Sequence, residues 1–408
     1  MNLKSQKGAV TLFVLVSCMF FLASVVSVQM YMQSKQIAVN DEYRRIKENY
    51  EKDLENIDQL YNGLYSEENM VVNFGVPSIN ASTKKIVVEF STNLENAHID
   101  TVKYGWVHSN TEITDPSESN MPNITNWIYI EKQDGESKFN AVLNYEDNKG
   151  YYYLCANINN KEYWTQVNKY AKDGLVLHLD GINNKGAGDQ DRITSTTEQN
   201  GTTWKNLVGD ILNGSLNNFN NTTSSGWGED YLKFDGTNDW VSIGQINYPQ
   251  ITIEAVVENS RTNNLLEATY VGNWQSGGYG LVYNSSSTPL RNNRNQFCTY
   301  TINNDRQIVD IGREIESNKK YILTGSYDGN TIQFWENGQK TVTQGNGVIK
   351  EPRNNTVTAL GTDALGSSSG LTFLNGKIYS VRIYNRVLTE EEVQQNYQID
   401  KMRFNVTD

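Results

Sequence analysis

The sequence predicts a mainly β protein that follows a long N-terminal helix. An apolar run from Ala9 to Val28 is long enough to cross a bilayer, for which about 20 helical residues suffice. From about residue 69, short segments rich in Val, Ile, Tyr and Phe alternate with Gly, Asn and Asp, which is typical of strands and turns. The chain has 408 residues, more than one ordinary core needs, so we expect two or three domains.

The charge balance limits the partners. The chain carries 35 Lys and Arg against 47 Asp and Glu, a net charge of −12. A nucleic-acid partner requires a basic face that neutralises phosphates, and this composition supplies none. We therefore predict no nucleic-acid partner and expect most acidic residues in solvated loops.

Residues 1–35 are predicted to be a signal anchor, that is, one transmembrane helix. Lys4 and Lys7 precede the apolar run, and no further charge follows until Lys35. Basic residues ahead of such a run favour a cytoplasmic N-terminus. A cleaved signal peptide would have a shorter apolar region. We expect a single-pass protein of a bacterial cell membrane, with the following domains outside the cell.

Two other interpretations of the N-terminus remain open. The motif "LVSC" fits a lipobox that would lipidate Cys18, although the residues after it stay apolar. The stretch "KGAVTLFVLV" resembles the start of a type IV prepilin, which would be processed after Gly8. That family has Glu at the fifth position after the glycine, where this chain has Phe13. The resemblance implies an alternative function as a pilin-like structural subunit of a surface filament.

Residues 36–68 are predicted to form a helical stalk. Apolar and aromatic side chains recur at helical steps while charges fill the other faces. A helix from about residue 9 to 62 would be roughly 80 Å long at 1.5 Å per residue. The stripe is consistent with a solvated stalk and with self-association into a short coiled coil.

Residues 69–170 are predicted to form a small antiparallel β-sandwich. The segment "KKIVVEFST" alternates in polarity, and further β-branched or aromatic runs follow between turn residues. The strand with Tyr104-Gly105-Trp106 and the later strand from Gly150 to Leu154 resemble the Ig-like repeats of bacterial surface proteins. The resemblance implies an Ig-like sandwich that acts as a spacer, with Trp106 in its core.

Residues 172–402 are predicted to form a larger sandwich of two sheets. The first strand, "GLVLHLDG", alternates in polarity, and many further strands end in Gly, Asn or Asp pairs that turn hairpins. The last strand, "GKIYSVRIYNR", precedes a capping box of Thr389 and Glu392, with Leu388 positioned to pack on Val393. We expect this last strand to pair with the first and close the sandwich.

Simple alternation assigns the side chains of the last strand to two faces. One face is predicted to carry Tyr379, Val381 and Ile383. The other is predicted to carry Ile378, Arg382 and Tyr384.

Several blocks of this region occur in the order known from one family. "GLVLHLDGINN", "YLKFDGTNDWVSI", "YDGNTIQFWENG" and "GKIYSVRIYNRVLTEEEV" resemble the laminin-G-like, concanavalin A-like jelly-roll domain of bacterial surface proteins. The resemblance implies a jelly-roll sandwich that binds a glycan or a protein. We therefore expect a membrane-anchored extracellular binding or adhesion protein.

The sequence does not predict an enzyme. It contains no H-E-x-x-H zinc-protease motif and no Gly-rich phosphate-loop motif. The nearest acid pair for a glycan hydrolase, Glu254 and Glu258, would lie about 13 Å apart along a strand at ~3.3 Å per residue. Glycosidase carboxylates lie roughly 5–9.5 Å apart. Glycan hydrolysis is therefore kept only as a second alternative function.

The resemblance suggests one cofactor, a calcium ion on the rim of the sandwich. Oxygen ligands suit Ca²⁺, and the same Asp and Asn residues also suit ordinary turns. Oxygen donors cluster at Asp189 and Asp191, at Asp235, Asn238 and Asp239, and at Asp328 and Asn330, and the last two clusters supply the candidate ligands.

Aromatic residues are the candidates for a sugar site. An exposed ring face stacks on the C–H surface of a sugar, whereas a ring in a sandwich core does not. The candidates are Trp227, Trp274 and Tyr279. His178, in the first strand of the larger sandwich, is expected to be packed or hydrogen-bonded.

Overall fold

The computed structural model describes most of the chain after residue 69 and one N-terminal helix. The described residues are 12–32, 35, 70–94, 99–131, 137–146, 149–189, 191–260, 267–274, 277–284, 293–303, 306–345, 356–363 and 373–407. The predicted stalk at 36–68 and the prepilin processing site at Gly8 lie outside these residues.

The N-terminal helix, α1, spans Leu12–Met32. Its 21 residues cover about 32 Å at 1.5 Å per residue, and none of them is buried. This length and composition make α1 a candidate membrane anchor or signal sequence, as the apolar run predicted. Cys18 is exposed on α1 and is a free cysteine. Residues Met1–Val71 form a unit of their own.

Eight strands follow in the segment predicted as the smaller sandwich. They are β1 (Val72–Phe74), β2 (Ser78–Asn80), β3 (Lys85–Thr92), β4 (Val102–Ser109), β5 (Ile128–Tyr129), β6 (Lys138–Asn144), β7 (Tyr151–Ile158) and β8 (Lys161–Gln166). In one sheet, β3 pairs with β1, β2 and β6, and the other sheet has the order β5-β4-β7-β8. The Tyr104 hydroxyl of β4 donates a hydrogen bond to the Val142 carbonyl of β6. We call these strands the middle β-module.

The larger sandwich begins with β9 and contains the remaining strands. The first group is β9 (Leu175–Asp180), β10 (Thr203–Trp204), β11 (Gly214–Asn217), β12 (Gly226–Trp227), β13 (Leu232–Asp235), β14 (Trp240–Gly244), β15 (Ile251–Asn259) and β16 (Ala268–Gly272). The second group is β17 (Tyr279–Tyr283), β18 (Asn295–Tyr300), β19 (Arg306–Val309), β20 (Lys320–Tyr327), β21 (Thr331–Glu336), β22 (Gln339–Gly345), β23 (Thr358–Leu360) and β24 (Asn375–Tyr384).

These strands form two eight-stranded sheets. The front sheet has the order β10-β11-β14-β23-β16-β17-β18-β19. The back sheet has the order β12-β13-β24-β15-β20-β21-β22, and β9 also pairs with β24. The predicted closure is confirmed, because β9 and β24 are antiparallel neighbours with Leu179 opposite Val381. Apolar side chains of both sheets, including Phe234, Leu323 and Phe297, share one buried core.

The predicted faces of β24 are partly wrong because the strand contains a β-bulge. The pairing with β15 shifts register between Val256 and Val257, so that Ser380 and Ile378 face consecutive partners. A bulge inserts one extra residue and reverses the alternation on one side of it. Ile378 therefore joins Val381 in the core between the sheets, while Tyr379 points away from that core.

A second helix, α2, spans Glu390–Arg403 and covers the outer face of the back sheet. Its predicted capping box is confirmed: the Thr389 hydroxyl accepts from the Glu392 amide, and the Glu392 carboxylate accepts from the Thr389 amide. Leu388 and Val393 are buried in one apolar cluster, as expected of a hydrophobic staple. Residues Val72–Asp408 form one compact unit, so the middle β-module and the larger sandwich are packed together.

Candidate functional site

A buried ionic network lies between α2 and the back sheet. Arg382 of β24 stands opposite Glu254 of β15, and its Nε donates to Glu254 Oε2 at 2.9 Å. Both terminal nitrogens of Arg382 bind the carboxylate of Asp400 on α2, one of them at 2.9 Å. The Arg382 side chain is only 1% exposed. Burial alone would lower the pKa of Arg382, but Asp400 and Glu254 outweigh it and raise that pKa well above its ordinary value.

Residues 170–171, which join the middle β-module to the larger sandwich, form hydrogen bonds with this network. The Tyr170 hydroxyl donates to Asp400 Oδ1 at 2.8 Å, and the Tyr170 ring lies 4.1 Å from the Arg382 guanidinium carbon. The Ala171 amide donates to Asn396 Oδ1 at 2.9 Å. The Tyr384 hydroxyl donates to the Ala171 carbonyl at 3.1 Å. These contacts fix residues 170–171 against α2 and thereby fix the middle β-module next to the larger sandwich.

A second buried network connects the middle β-module with the end of α2. The Arg403 guanidinium binds Asp189 through two nitrogens, at 2.9 and 2.6 Å. Its Nε donates to Asp180 Oδ2 at 2.7 Å. Asp189 Oδ2 also accepts the Gly150 amide of the middle β-module at 2.7 Å. Gly150 has a φ of +73°, and a Cβ there would lie 2.7 Å from the Ser109 carbonyl oxygen, so this turn requires glycine.

A cavity of about 580 Å³ lies where these parts meet. It receives side chains from the middle β-module, the joining segment, β9 and the end of α2. We call it the junction cavity, and its walls are Thr111, Glu112, Tyr151, Gln166, Asn168, Lys169, Tyr170, Lys172, Leu175, His178, Asp180, Asn183, Gly186, Ala187, Gly188, Leu207, Val208, Ile399 and Arg403. Its volume lies within the range of small-molecule sites, about 300–1,000 Å³.

His178 is the wall residue with the most altered chemistry. Burial, opposed by Asp180 and reinforced by Arg382 and Arg403, lowers its pKa to about 3. The imidazole is therefore neutral at physiological pH, and its 3.9 Å separation from Asp180 is not an ion pair. Nε2 is buried and has no hydrogen-bond partner among the described residues. The sequence predicted a packed or hydrogen-bonded histidine; the packing is confirmed, but this nitrogen has no such partner.

Two tyrosines contribute neutral hydroxyl groups to the walls. Burial raises the pKa of Tyr151 to about 12 and the pKa of Tyr170 well above its ordinary value. Both phenols therefore stay protonated at physiological pH. The Tyr170 ring also meets the His178 ring edge to face, with the centroids 5.2 Å apart.

The three predicted sugar-stacking rings are buried, so the expectation of exposed ring faces is wrong. Trp227, Trp274 and Tyr279 are 8%, 3% and 1% exposed. Trp227 Nε1 donates to the Gly201 carbonyl at 2.8 Å, and the Tyr279 hydroxyl donates to the Ile246 carbonyl at 2.5 Å.

Paired glycines explain how the front sheet accommodates one of these rings. Gly272 and Gly280 are opposite each other in β16 and β17. A Cβ on Gly280 would approach Trp274 Cδ1 to 3.0 Å. The missing side chains therefore leave room for the indole beside these two strands.

The predicted calcium ligands form two separate turns. Asp235 Oδ1 accepts the amides of Thr237 and Asn238, at 2.7 and 3.2 Å. Asp239 Oδ2 accepts the Asp235 amide at 3.0 Å, while its Oδ1 is buried and has no partner among the described residues. Burial raises the pKa of Asp239 to about 6.

The other turn uses its carboxylate in the same way. Asp328 Oδ1 accepts the amides of Asn330 and Thr331, at 2.8 and 2.7 Å. Within the described part of the chain, no three His, Cys, Asp or Glu side chains are grouped as metal ligands would be. Calcium binding stays a prediction, and in the described turns these oxygens serve the turns themselves.

The carboxylates considered for hydrolysis are both engaged. Glu254 belongs to the Arg382 network, and it also accepts from Asn396 Nδ2 at 2.8 Å. Glu258 binds Lys377 Nζ at 2.8 Å and accepts the Tyr379 hydroxyl at 2.8 Å.

The sequence interpretation missed most of the junction cavity. Of the wall residues, the sequence patterns singled out only His178. The buried partners of Arg403 lie more than 200 positions away in the chain; Asp189, for example, is 214 positions from it. The available signal was a charged pattern on strands: His178 and Asp180 alternate with leucines, and Arg382 stands in an apolar strand. Charges on the side of such strands that faces away from the sandwich core indicate a covering element with opposite charge.

Part of the larger sandwich matches a known superfamily. Residues 228–394 match the family Laminin_G_3, described as the concanavalin A-like lectin/glucanases superfamily. This part of the chain is therefore a laminin-G-like, concanavalin A-like domain, which confirms the predicted resemblance and the jelly-roll class. No curated protein matches the sequence.

Several solved structures show partial similarity to this chain. Trypanosoma rangeli sialidase in complex with sialic acid is 14% identical, with a TM-score of 0.40 over 83% of this chain and 54% of that chain. Domain 4 of AbnA, an extracellular arabinanase from Geobacillus stearothermophilus in complex with arabinotriose, is 16% identical, with a TM-score of 0.36 over 56% of this chain and 100% of that domain. This chain thus spans about half the length of the sialidase. At these identities no residue role carries over.

Proposed function

We propose that this chain is a membrane-anchored extracellular carbohydrate-binding protein without catalytic activity. Its laminin-G-like domain and middle β-module act as one rigid head, and α1 holds that head at the membrane. The description of the superfamily that residues 228–394 match names lectins and glucanases, and this supports a glycan as the partner.

The observation that carries this proposal is the junction cavity. Binding sites for small molecules are concave and carry a few polar groups that converge on the ligand. Here a cavity of about 580 Å³ brings together an imidazole, two phenols and several amide side chains. Such groups suit a ligand with many hydroxyls, because each hydroxyl both donates and accepts hydrogen bonds.

The absence of catalysis is proposed from how the carboxylates are used. A glycosidase needs one carboxyl group to donate a proton and a second to act as base or nucleophile. Glu254 and Glu258 instead bind Arg382 and Lys377. Asp180 on the cavity wall and the neighbouring Asp189 likewise bind Arg403.

Glycan binding is tested with an array of immobilised glycans. The full chain, purified in a detergent without a sugar head group, is applied once with calcium and once with a chelator. We expect binding to a defined set of glycans at equal strength in both conditions, because the cavity groups need no metal. An array without any bound glycan would contradict the proposed function. Loss of binding in the chelator would instead indicate that the glycan is bound through a calcium ion.

Anchoring is tested with a variant that lacks residues 1–35. The apolar helix is the proposed anchor, so the full chain should stay in the membrane pellet after carbonate extraction of expressing bacteria. The truncated protein should be in the soluble fraction. A truncated protein that still sediments with the membranes would contradict this assignment.

The prepilin alternative depends on the extreme N-terminus. Processing after Gly8 would leave a mature chain that starts at Ala9, which N-terminal sequencing of the purified protein detects. An intact N-terminus through Lys7 would exclude such processing.

A further inference from the structure

Resting on the proposed function, we propose that the junction cavity is the glycan site and that it selects a neutral sugar residue, with His178 Nε2 as a hydrogen-bonding group. The walls of this site then come from both the middle β-module and the larger sandwich. The proposal depends on three features of the cavity: its paired charges, its neutral histidine and its composite walls.

The buried charges at the cavity neutralise one another, whereas Lys169 on the wall is exposed to solvent. Arg403 binds Asp180 and Asp189 through three nitrogens. Lys172 Nζ lies 2.9 Å from Glu112 Oε1, which joins the segment after the middle β-module to that module. The Lys172 and Glu112 side chains are 55% and 34% exposed, so only the Arg403 pairs are buried. A charged ligand that engaged Arg403 or its two carboxylates would have to break these buried pairs, which is costly. A ligand without charge leaves the pairs intact.

His178 supplies an unused hydrogen-bonding nitrogen. The residue is 9% exposed, lines the cavity, and its Nε2 is buried without a partner among the described residues. A buried polar atom without a partner is unfavourable, and a ligand that satisfies it gains affinity. A hydroxyl group fits either tautomer of the neutral imidazole, because it donates to a bare nitrogen and accepts from a protonated one.

The groups around His178 keep it neutral when a ligand binds. Arg382 lies opposite it on the neighbouring strand, and Arg403 reaches it from the end of α2. Asp180 is the carboxylate that favours the imidazolium, and Arg403 already binds it at 2.7 Å. The site therefore presents an uncharged donor or acceptor, which suits a sugar hydroxyl.

The composite walls explain why the middle β-module is fixed so firmly. Tyr151 and Gln166 come from that module, whereas His178 comes from β9. The Gly150 amide on Asp189 and the Tyr170 hydroxyl on Asp400 hold the two sides in place. A preformed site loses little conformational freedom on binding.

The test measures sugar binding to the full chain by saturation-transfer NMR, in a detergent without a sugar head group. The probes are neutral sugars (glucose, galactose, mannose, arabinose and N-acetylglucosamine) and two charged ones (sialic acid and glucuronic acid). His178→Phe keeps a ring but removes both nitrogens. Ala187→Trp places a bulky side chain on an exposed wall position, where it fills the cavity without entering the core. His108→Gln is the matched control, because His108 is exposed on β4 and does not line the cavity.

We expect a neutral sugar to bind the wild type, with about tenfold weaker binding for His178→Phe and Ala187→Trp and no change for His108→Gln. Circular dichroism checks that each variant folds. If His178→Phe does not fold, the comparison of Ala187→Trp with the wild type tests the proposal. Unchanged binding to Ala187→Trp would overturn the cavity assignment and leave the proposed function standing. Preference for the charged sugars would overturn the neutral specificity. Binding of no sugar to the wild type would overturn both proposals.

Discussion

Replacing Arg382 with leucine should destabilise the unit formed by residues 72–408 by about 3–5 kcal/mol. Leucine removes the only guanidinium that reaches both Glu254 and Asp400 among the described residues. Their side chains are 2% and 0% exposed, so each carboxylate would stay out of water without its cation. Urea unfolding of the full chain, followed by tryptophan fluorescence, measures the change in free energy.

Two controls separate the buried charge from a general effect of mutation. Lys138→Ala removes an ion pair with Glu89 whose side chains are 68% and 51% exposed, and it should cost less than about 1 kcal/mol. Adding Glu254→Gln and Asp400→Asn to Arg382→Leu removes the stranded charges and should restore part of the loss. A stability of Arg382→Leu equal to that of Lys138→Ala would contradict the role given to this network.

Replacing Arg403 with methionine should also cost about 3–5 kcal/mol, and it should loosen the middle β-module. Asp180 and Asp189 are 1% and 0% exposed and would lose their common cation. Burial alone would raise the pKa of Asp180, but Arg403 outweighs it and holds that pKa below its ordinary value. Without Arg403 the pKa of Asp180 should rise, which weakens the turn that Asp180 holds through the Ile182 amide at 2.7 Å.

Hydrogen exchange locates this second effect. The amides of Gly150 and Ile182 donate to Asp189 and Asp180, so both should exchange faster in Arg403→Met. Lys185→Ala is the matched control in the same loop, because its partner Asp191 is 63% exposed. If the Gly150 amide exchanged equally in Arg403→Met and Lys185→Ala, Arg403 would not be what fastens the middle β-module.

The elements that sequence patterns predict well are those set by near neighbours. The capping box at Thr389 and Glu392 needs only four consecutive positions, and the structure confirms it. The pairing of β24 with β9 followed from the need of a sandwich to close its sheet. The bulge beside Tyr379 was not predictable, because it depends on the register of β15, a strand more than one hundred residues away.

The candidate site was harder to predict because its residues are distant in the chain. Tyr170 and Asp400 are 230 positions apart, and no local pattern connects them. The burial of the aromatic candidates was hard to predict for a related reason. The room for the Trp274 ring depends on Gly272 and Gly280, and their pairing across two strands appears only in the folded sheet. Residue type alone indicates stacking ability but not exposure.

A crystal structure of the full chain with the strongest neutral glycan from the array tests the central claim most directly. We predict a sugar ring in the junction cavity, with one hydroxyl within hydrogen-bond distance of His178 Nε2 and the Arg403 contacts to Asp180 and Asp189 unchanged. A glycan bound on the outer face of the front sheet, or at the turns of Asp235 and Asp328, with no sugar in the cavity, would contradict the account.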